Sequence, residues 1–206
     1  QLAEVKRSIG RSQEALAILE VIVRDMDNPP VRTLVQYGSL LKFVGQKQAS
    51  IQTLDQAVQQ YNNGLVFSSE DVAMVALASW LMDNFHDANS LFNEAIRANP
   101  NNLEAHVLWG DLFLEKYNAS DAERSYQEAL EINSRYTPAL VGIAKVVGDE
   151  RALQRALAIN PNFVPALETY GQLLMMNSRQ DEAQDYFTRG LALNPESVKT
   201  LSVLAA

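Results

Sequence analysis

The 206-residue sequence contains no cysteine, which excludes a disulfide framework and any thiolate-bound metal. Its seven prolines and nine glycines are too few for a linker-rich or disordered chain. No apolar run approaches the ~18 residues that indicate a membrane-spanning helix, so we expect no membrane insertion. The sequence fits the cytoplasm and a cysteine-free periplasmic protein equally well, and the compartment stays open.

The motifs of common catalytic sites are also missing. There is no glycine-rich phosphate loop, no G-x-S-x-G and no H-E-x-x-H. The two histidines, His86 and His106, stand 20 positions apart without further ligands at helical spacing, and we predict a solvated or capping role for each. We therefore predict a protein that is not an enzyme and that binds no metal and no cofactor.

Charge is distributed unevenly along the chain. Residues 1–50 carry seven Lys/Arg and five Asp/Glu, whereas residues 51–206 carry ten and twenty, which gives net charges of +2 and −10 and a total of −8. An acidic chain is a poor ligand for nucleic acid or for an anionic membrane, so we expect a protein or peptide partner.

One pattern of residue sizes occurs five times. A small residue is followed twelve positions later by another small residue, and four positions after that by a larger apolar one. The small residues are Ala3, Gly38, Ala76, Gly110 and Gly171, followed by Ala15, Ser50, Ala88, Ala122 and Ala183. The apolar residues are Leu19, Leu54, Phe92, Tyr126 and Phe187.

This spacing predicts helical hairpins. Small residues let two antiparallel helices approach closely, and the larger residue four positions on lies on the same helix face and fills the space beside them. A breaker such as Pro100 or Pro195 then ends the second helix. Because one hairpin cannot bury its faces alone, we expect neighbouring hairpins to stack into a solenoid.

The period and the motif Trp109-Gly110, Ala122, Tyr126, Ala129 resemble the tetratricopeptide repeat (TPR) family. The resemblance implies an all-α fold, a right-handed α-α superhelix of about six hairpins in one domain over residues 1–206. The predicted units are 1–30 (partial), 31–64, 69–102, 103–136, 137–163, 164–197, and the start of a further unit at 198–206.

The unit 137–163 is about seven residues shorter than its neighbours. We predict two short helices there, with Gly148 after the end of the first and Asp149 as the N-cap of the second. This unit should change the rotation between successive hairpins.

In TPR proteins the first helix of each hairpin lines a concave groove that usually holds the partner. Helical phase places these partner-binding candidates in the groove: Lys42, Phe43, Leu77, Trp80, Asp111, Leu114, Glu115, Lys145, Gln172 and Met175. Val35, Ala73, Val107 and Val141 share that phase. Packing between neighbouring hairpins is the alternative role for Trp80 and Leu77, whereas Trp109 and Tyr170 recur in the motif and are expected in the core.

The groove lacks one known TPR feature, a clamp of Lys and Asn side chains for a C-terminal carboxylate. Val35, Ser39, Ala73 and Leu77 occupy the matching positions. An apolar groove with acidic and methionine patches suits an amphipathic helix or an extended apolar peptide.

Three functions fit these observations. The first is a non-enzymatic scaffold that binds a partner peptide or helix in the groove. The second is a substrate-presenting segment of a larger enzyme, such as a glycosyltransferase or peptidase. The third is a self-assembling array. Because the pattern starts and stops within a unit, we expect a piece of a longer chain with uncapped ends that favour homo-oligomers, through Val198, Leu201 and Leu204.

Overall fold

The computed structural model describes residues 2–66, 68–197 and 200–201, and within them it contains twelve helices and no strand. The helices are α1 Leu2–Ser8, α2 Ser12–Asp25, α3 Val31–Phe43, α4 Lys47–Asn62, α5 Ser69–Leu81, α6 Phe85–Ala98, α7 Leu103–Glu115, α8 Ala119–Ile132, α9 Thr137–Val147, α10 Glu150–Ile159, α11 Val164–Met176 and α12 Gln180–Leu193. They form six hairpins in an all-α repeat solenoid, which confirms the predicted class of fold. We call α1, α3, α5, α7, α9 and α11 the first helices.

The close approach of the two helices in a hairpin depends on the repeated small residues. A Cβ added to Gly110 would lie 2.6 Å from the ring of Tyr126, and one added to Gly171 would lie 2.5 Å from the ring of Phe187. Both rings are almost fully buried. The predicted pairing of a small residue with a large apolar partner is therefore correct.

The cores of neighbouring hairpins are stacked along the solenoid. One cluster joins α3 to α7, and others lie between α7 and α9 and between α9 and α12. Four residues that helical phase placed in the groove belong to these clusters instead. They are Val35, Ala73, Val107 and Val141, and each is at most 8% exposed. The expectation that they face the groove is wrong, because adjacent first helices pack closely enough to cover them.

The turn inside each hairpin uses the left-handed backbone region. Gly10, Gly45, Asp83, Tyr117, Gly148 and Ser178 have φ between 59° and 83°. Only glycine adopts this region without steric cost, so three of the turns are strained. The largest of these side chains, that of Tyr117, is 98% exposed.

The short unit contains two short helices, as predicted. The first, α9, has 11 residues and the second, α10, has 10, compared with 13 and 14 in α7 and α8. Gly148 ends α9 with φ 69°, and Asp149 caps α10 because its Oδ1 accepts a hydrogen bond from the N–H of Arg151 at 2.9 Å.

The far ends of the described chain touch each other. The loop at residues 194–196 packs against the turn at Gly10, and the N–H of Ser12 donates to a carboxylate oxygen of Glu196 at 3.2 Å.

Most of the predicted further unit at 198–206 lies outside the described residues, including Val198 and Leu204. Two of its residues are described: Thr200 is buried and Leu201 is 46% exposed. None of the described helices is long and apolar enough to cross a membrane.

Candidate functional site

The candidate groove residues lie toward the C-terminal ends of the first helices, where hydrogen bonds join one first helix to the next. Lys42 of α3 donates from Nζ to the backbone oxygen of Leu81 in α5 at 2.6 Å. Trp80 of α5 donates from Nε1 to a carboxylate oxygen of Glu115 in α7 at 3.0 Å. These contacts fix the spacing of three successive first helices.

A further contact extends this series to α9. Asp111 of α7 accepts a hydrogen bond from the phenol of Tyr126 at 2.8 Å, and the same oxygen lies 3.4 Å from Nζ of Lys145. The pKa of the buried Tyr126 is raised, first by burial and then by the negative charge of Asp111. Tyr126 therefore stays neutral and donates a hydrogen bond to Asp111, which holds that carboxylate toward Lys145.

Trp80 combines two environments. Its ring packs against the core cluster that joins α3 to α7, and its indole N–H is held by Glu115. Leu77 packs against that cluster as well, and Leu114 packs against the cluster between α7 and α9. All three side chains remain partly exposed. Their arrangement is a fixed, partly open apolar surface on α5 and α7.

The other candidates are more exposed and less constrained. Phe43 is 51% exposed and Met175 is 38% exposed, whereas Gln172 is intermediate. Met176, which follows Met175, is 81% exposed. Except for Phe43, the candidate residues of α3, α5, α7 and α9 thus form a joined set, and Phe43, Gln172 and Met175 make none of these contacts.

A polar contact that the sequence pattern did not reveal joins the N-terminal ends of two first helices. The guanidinium of Arg32 in α3 makes two hydrogen bonds, at 3.0 and 2.6 Å, to the carboxylate of Glu104 in α7. These bonds raise the pKa of Arg32. The partners are 72 positions apart and are the second residues of the units 31–64 and 103–136. The repeat relates these two positions, but the pattern of residue sizes does not include their charges, so it did not point to this bridge across α5.

The two histidines differ in environment. The side chain of His86 is 93% exposed and lies in the first turn of α6. His106 is buried between the backbone oxygen of Pro100, 2.9 Å from Nε2, and the carboxylate of Glu128, 3.2 Å from Nδ1. Of the two roles predicted for His106, the solvated one is wrong, because α8 covers this face of α7, and the contact with the Pro100 oxygen leaves the capping one. Among the described residues, no three His, Asp or Glu side chains are grouped as metal ligands.

The two aromatic residues expected in the core also differ from each other. Tyr170 is 4% exposed, and its hydroxyl accepts a hydrogen bond from Gln154 at 2.9 Å. Trp109 is only partly buried; its indole N–H donates to Asn89 at 2.9 Å, and its ring packs against Phe113.

Comparison with family models finds matches in two segments of the chain. Tetratricopeptide repeat models match residues 76–136 and 152–185. No curated protein matches the sequence. These matches support a tetratricopeptide repeat protein, and this fold generally serves as a non-catalytic module for protein–protein interaction.

Solved structures share the fold at low sequence identity. A thermophilic TPR protein of Thermus thermophilus is 16% identical, with a TM-score of 0.67 over 85% of this chain and 97% of the other. A TPR protein of Parabacteroides merdae is 18% identical, with a TM-score of 0.60 over 96% and 79%. YrrB, described as a TPR protein with an unusual peptide-binding site, is 14% identical, with a TM-score of 0.51 over 91% and 98%.

Proposed function

We propose that this protein is a non-catalytic scaffold that binds a peptide or helix of a partner protein on the inner surface of α5 and α7. One observation carries the proposal: Leu77, Trp80 and Leu114 are apolar, partly exposed and held in place from behind by the core. Tryptophan is enriched among the residues that dominate binding energy.

The polar neighbours of this surface favour an ordered binding site. The Trp80 indole is oriented by Glu115, and the α7–α9 spacing is held by Asp111 and Lys145. A surface that is ordered before binding loses less conformational entropy when the partner arrives. The description of YrrB as a TPR protein with a peptide-binding site agrees with this use of the fold.

Tryptophan fluorescence offers a direct test, because the chain contains only two tryptophans. In a Trp109→Phe background, Trp80 is the sole reporter. Peptides of twelve residues would be selected from a random displayed library on the wild-type chain and titrated against this variant. We expect the Trp80 emission to shift on binding and Trp80→Ala, assayed with labelled peptide, to weaken binding by about 2 kcal/mol.

Two further variants separate loss of binding from loss of folding. Ile51→Ala changes an exposed apolar residue on α4, outside the groove, and should bind like wild type. Glu115→Lys reverses a charge beside Trp80 without removing a core side chain, and should weaken binding while the unfolding temperature changes little. Unchanged binding in both Trp80→Ala and Glu115→Lys would refute the proposed site.

A further inference from the structure

The contact between the two ends of the solenoid is not a consequence of the repeat pattern. A Cβ added to Gly10 would lie 2.8 Å from Oδ1 of Asn194 and 3.1 Å from the backbone nitrogen of Glu196. Gly45 occupies the same turn of the next hairpin with a similar φ, and nothing lies within 4 Å of its added Cβ. The close approach at Gly10 therefore arises only because the ends meet.

A cavity of about 710 Å³ lies between residues of the first two hairpins at one end and residues of the last two hairpins at the other. We call it the closure cavity. Its apolar wall includes Ile9 and Phe43 from one end and Phe163 and Leu193 from the other. Its volume falls within the roughly 300–1,000 Å³ that is typical of ligand sites. Neither end forms the cavity alone, so it depends on the contact at Gly10.

The charged residues of the closure cavity favour a cationic ligand. Three carboxylates, of Glu4, Glu168 and Glu196, and one guanidinium, of Arg7, are part of its wall, which gives a net charge of −2. Glu168 accepts a hydrogen bond from the hydroxyl of Ser197, and Glu196 accepts one from the N–H of Ser12. These uncharged donors orient the two carboxylates and leave their negative charge in place.

We propose that the closure cavity is a second binding site, that it lies away from the surface on α5 and α7 although its wall includes the groove candidate Phe43, and that it exists only while the two ends touch. Its ligand is a short peptide segment with an aromatic or large aliphatic side chain next to a lysine or arginine. The apolar side chain occupies the space between Phe43 and Phe163, and the cation lies toward Glu168 and Glu196.

The contact itself is tested by distance measurement, which the cysteine-free sequence makes simple. Gln13→Cys and Ala192→Cys place spin labels at two exposed positions, one on α2 and one on α12, for pulsed electron resonance. We expect one short, narrow distance distribution in this pair. Adding Gly10→Ala should lengthen and broaden it, whereas Gly45→Ala, with the same backbone strain and no neighbours, should not.

Binding is tested with the acetylated and amidated pentapeptide Ala-Lys-Phe-Lys-Ala, fluorescently labelled and followed by anisotropy. Because affinity falls with the fraction of closed molecules, Gly10→Ala should weaken binding by about tenfold if it leaves about a tenth of the molecules closed. Gly45→Ala and Trp80→Ala should bind like wild type. The peptide Ala-Glu-Phe-Glu-Ala should bind at least about tenfold more weakly, because its charge repels the cavity.

Several outcomes would overturn this proposal. A broad distance distribution in the wild-type background would show that the ends do not meet in solution. Failure of the lysine peptide to bind, equal binding of the glutamate peptide, or full affinity in a Gly10→Ala variant shown to be open would each reject the closure cavity as the stated site. Weaker binding in Trp80→Ala would place the peptide in the groove instead. None of these results depends on whether the groove binds its own partner.

Discussion

The full-length unit 103–136 and the short unit 137–163 show which parts of a repeat are needed for packing. The short unit keeps its core: Leu140, Leu153 and Ala156 are all fully buried. What it has lost is the last turn of the first helix and part of the second, since α9 has 11 residues and α7 has 13. The interior of a repeat is therefore constrained by its two neighbours, whereas its edge can be shortened.

The lost turn matters for the groove. In α7 the residues Leu114 and Glu115 complete the inner surface after Asp111. In α9 the chain leaves the helix at Gly148, three residues after Lys145, and supplies no counterparts to these two side chains. The short unit thus interrupts the row of candidate binding residues between α7 and Met175 of α11.

A polar cluster occupies the shortened edge. The carboxylate of Glu150, at the start of α10, accepts hydrogen bonds from Arg179 at 2.9 and 3.0 Å and from the hydroxyl of Tyr170 at 3.4 Å. Arg179 also pairs with Glu182. The pKa of Arg179 is raised, first by its hydrogen bond to Glu182 and then by the one to Glu150. These contacts tie the start of α10 to the last hairpin.

The largest effect is expected where the two units meet. The ring of Tyr126 lies between Gly110 of its own hairpin and Gly142 of the short unit, and a Cβ added to Gly142 would lie 2.4 Å from the ring. The ring is fully buried and cannot move aside. Gly142→Ala should lower the free energy of unfolding by about 2 kcal/mol, because overpacking outweighs the gain in helix propensity.

Gly190→Ala is the matched control for this prediction. Gly190 is a buried helical glycine as well, but the nearest atoms to its added Cβ are 4.0 Å away. This variant should gain up to about 1 kcal/mol from helix propensity. Urea unfolding followed by circular dichroism measures both changes, and a stabilised Gly142→Ala would contradict the packing of Tyr126 described above.

The interior of the repeats was predictable because it is periodic. Gly110, Ala122 and Tyr126 recur at fixed spacing, and fixed spacing on a helix means a fixed contact. The same argument failed for Val107 and Val141, because the phase of a helix gives a direction and not the distance to the next hairpin. The contact of Gly10 with Asn194 was beyond sequence reasoning, since it depends on small rotations added over all six hairpins.

A smaller effect is expected at the turn of the short unit. Gly148 has φ 69°, and the nearest atom to its added Cβ is 3.7 Å away, so space is available and only the backbone is unfavourable. Gly148→Ala should therefore cost about 1 kcal/mol, the usual penalty for a side chain in the left-handed region. A loss well above this value in urea unfolding would mean that the turn also carries packing that the distances do not indicate.

The smallest effect is expected from the reverse change in the full-length unit. Tyr117 has φ 60° and a side chain that is 98% exposed. Its backbone is therefore strained, and buried contacts of its side chain do not offset that strain. Tyr117→Gly removes that strain but makes the unfolded chain more flexible, and these two effects nearly cancel. We expect a gain of about 0.5 kcal/mol in the free energy of unfolding. Asparagine also tolerates this region and adds less flexibility to the unfolded chain, so Tyr117→Asn should gain at least as much stability. Alanine keeps the strain, so the stability of Tyr117→Ala should stay within a few tenths of a kcal/mol of the wild type. A loss of stability in both Tyr117→Gly and Tyr117→Asn, measured by urea unfolding, would show that the exposed ring makes a stabilising contact and that this turn is not strained.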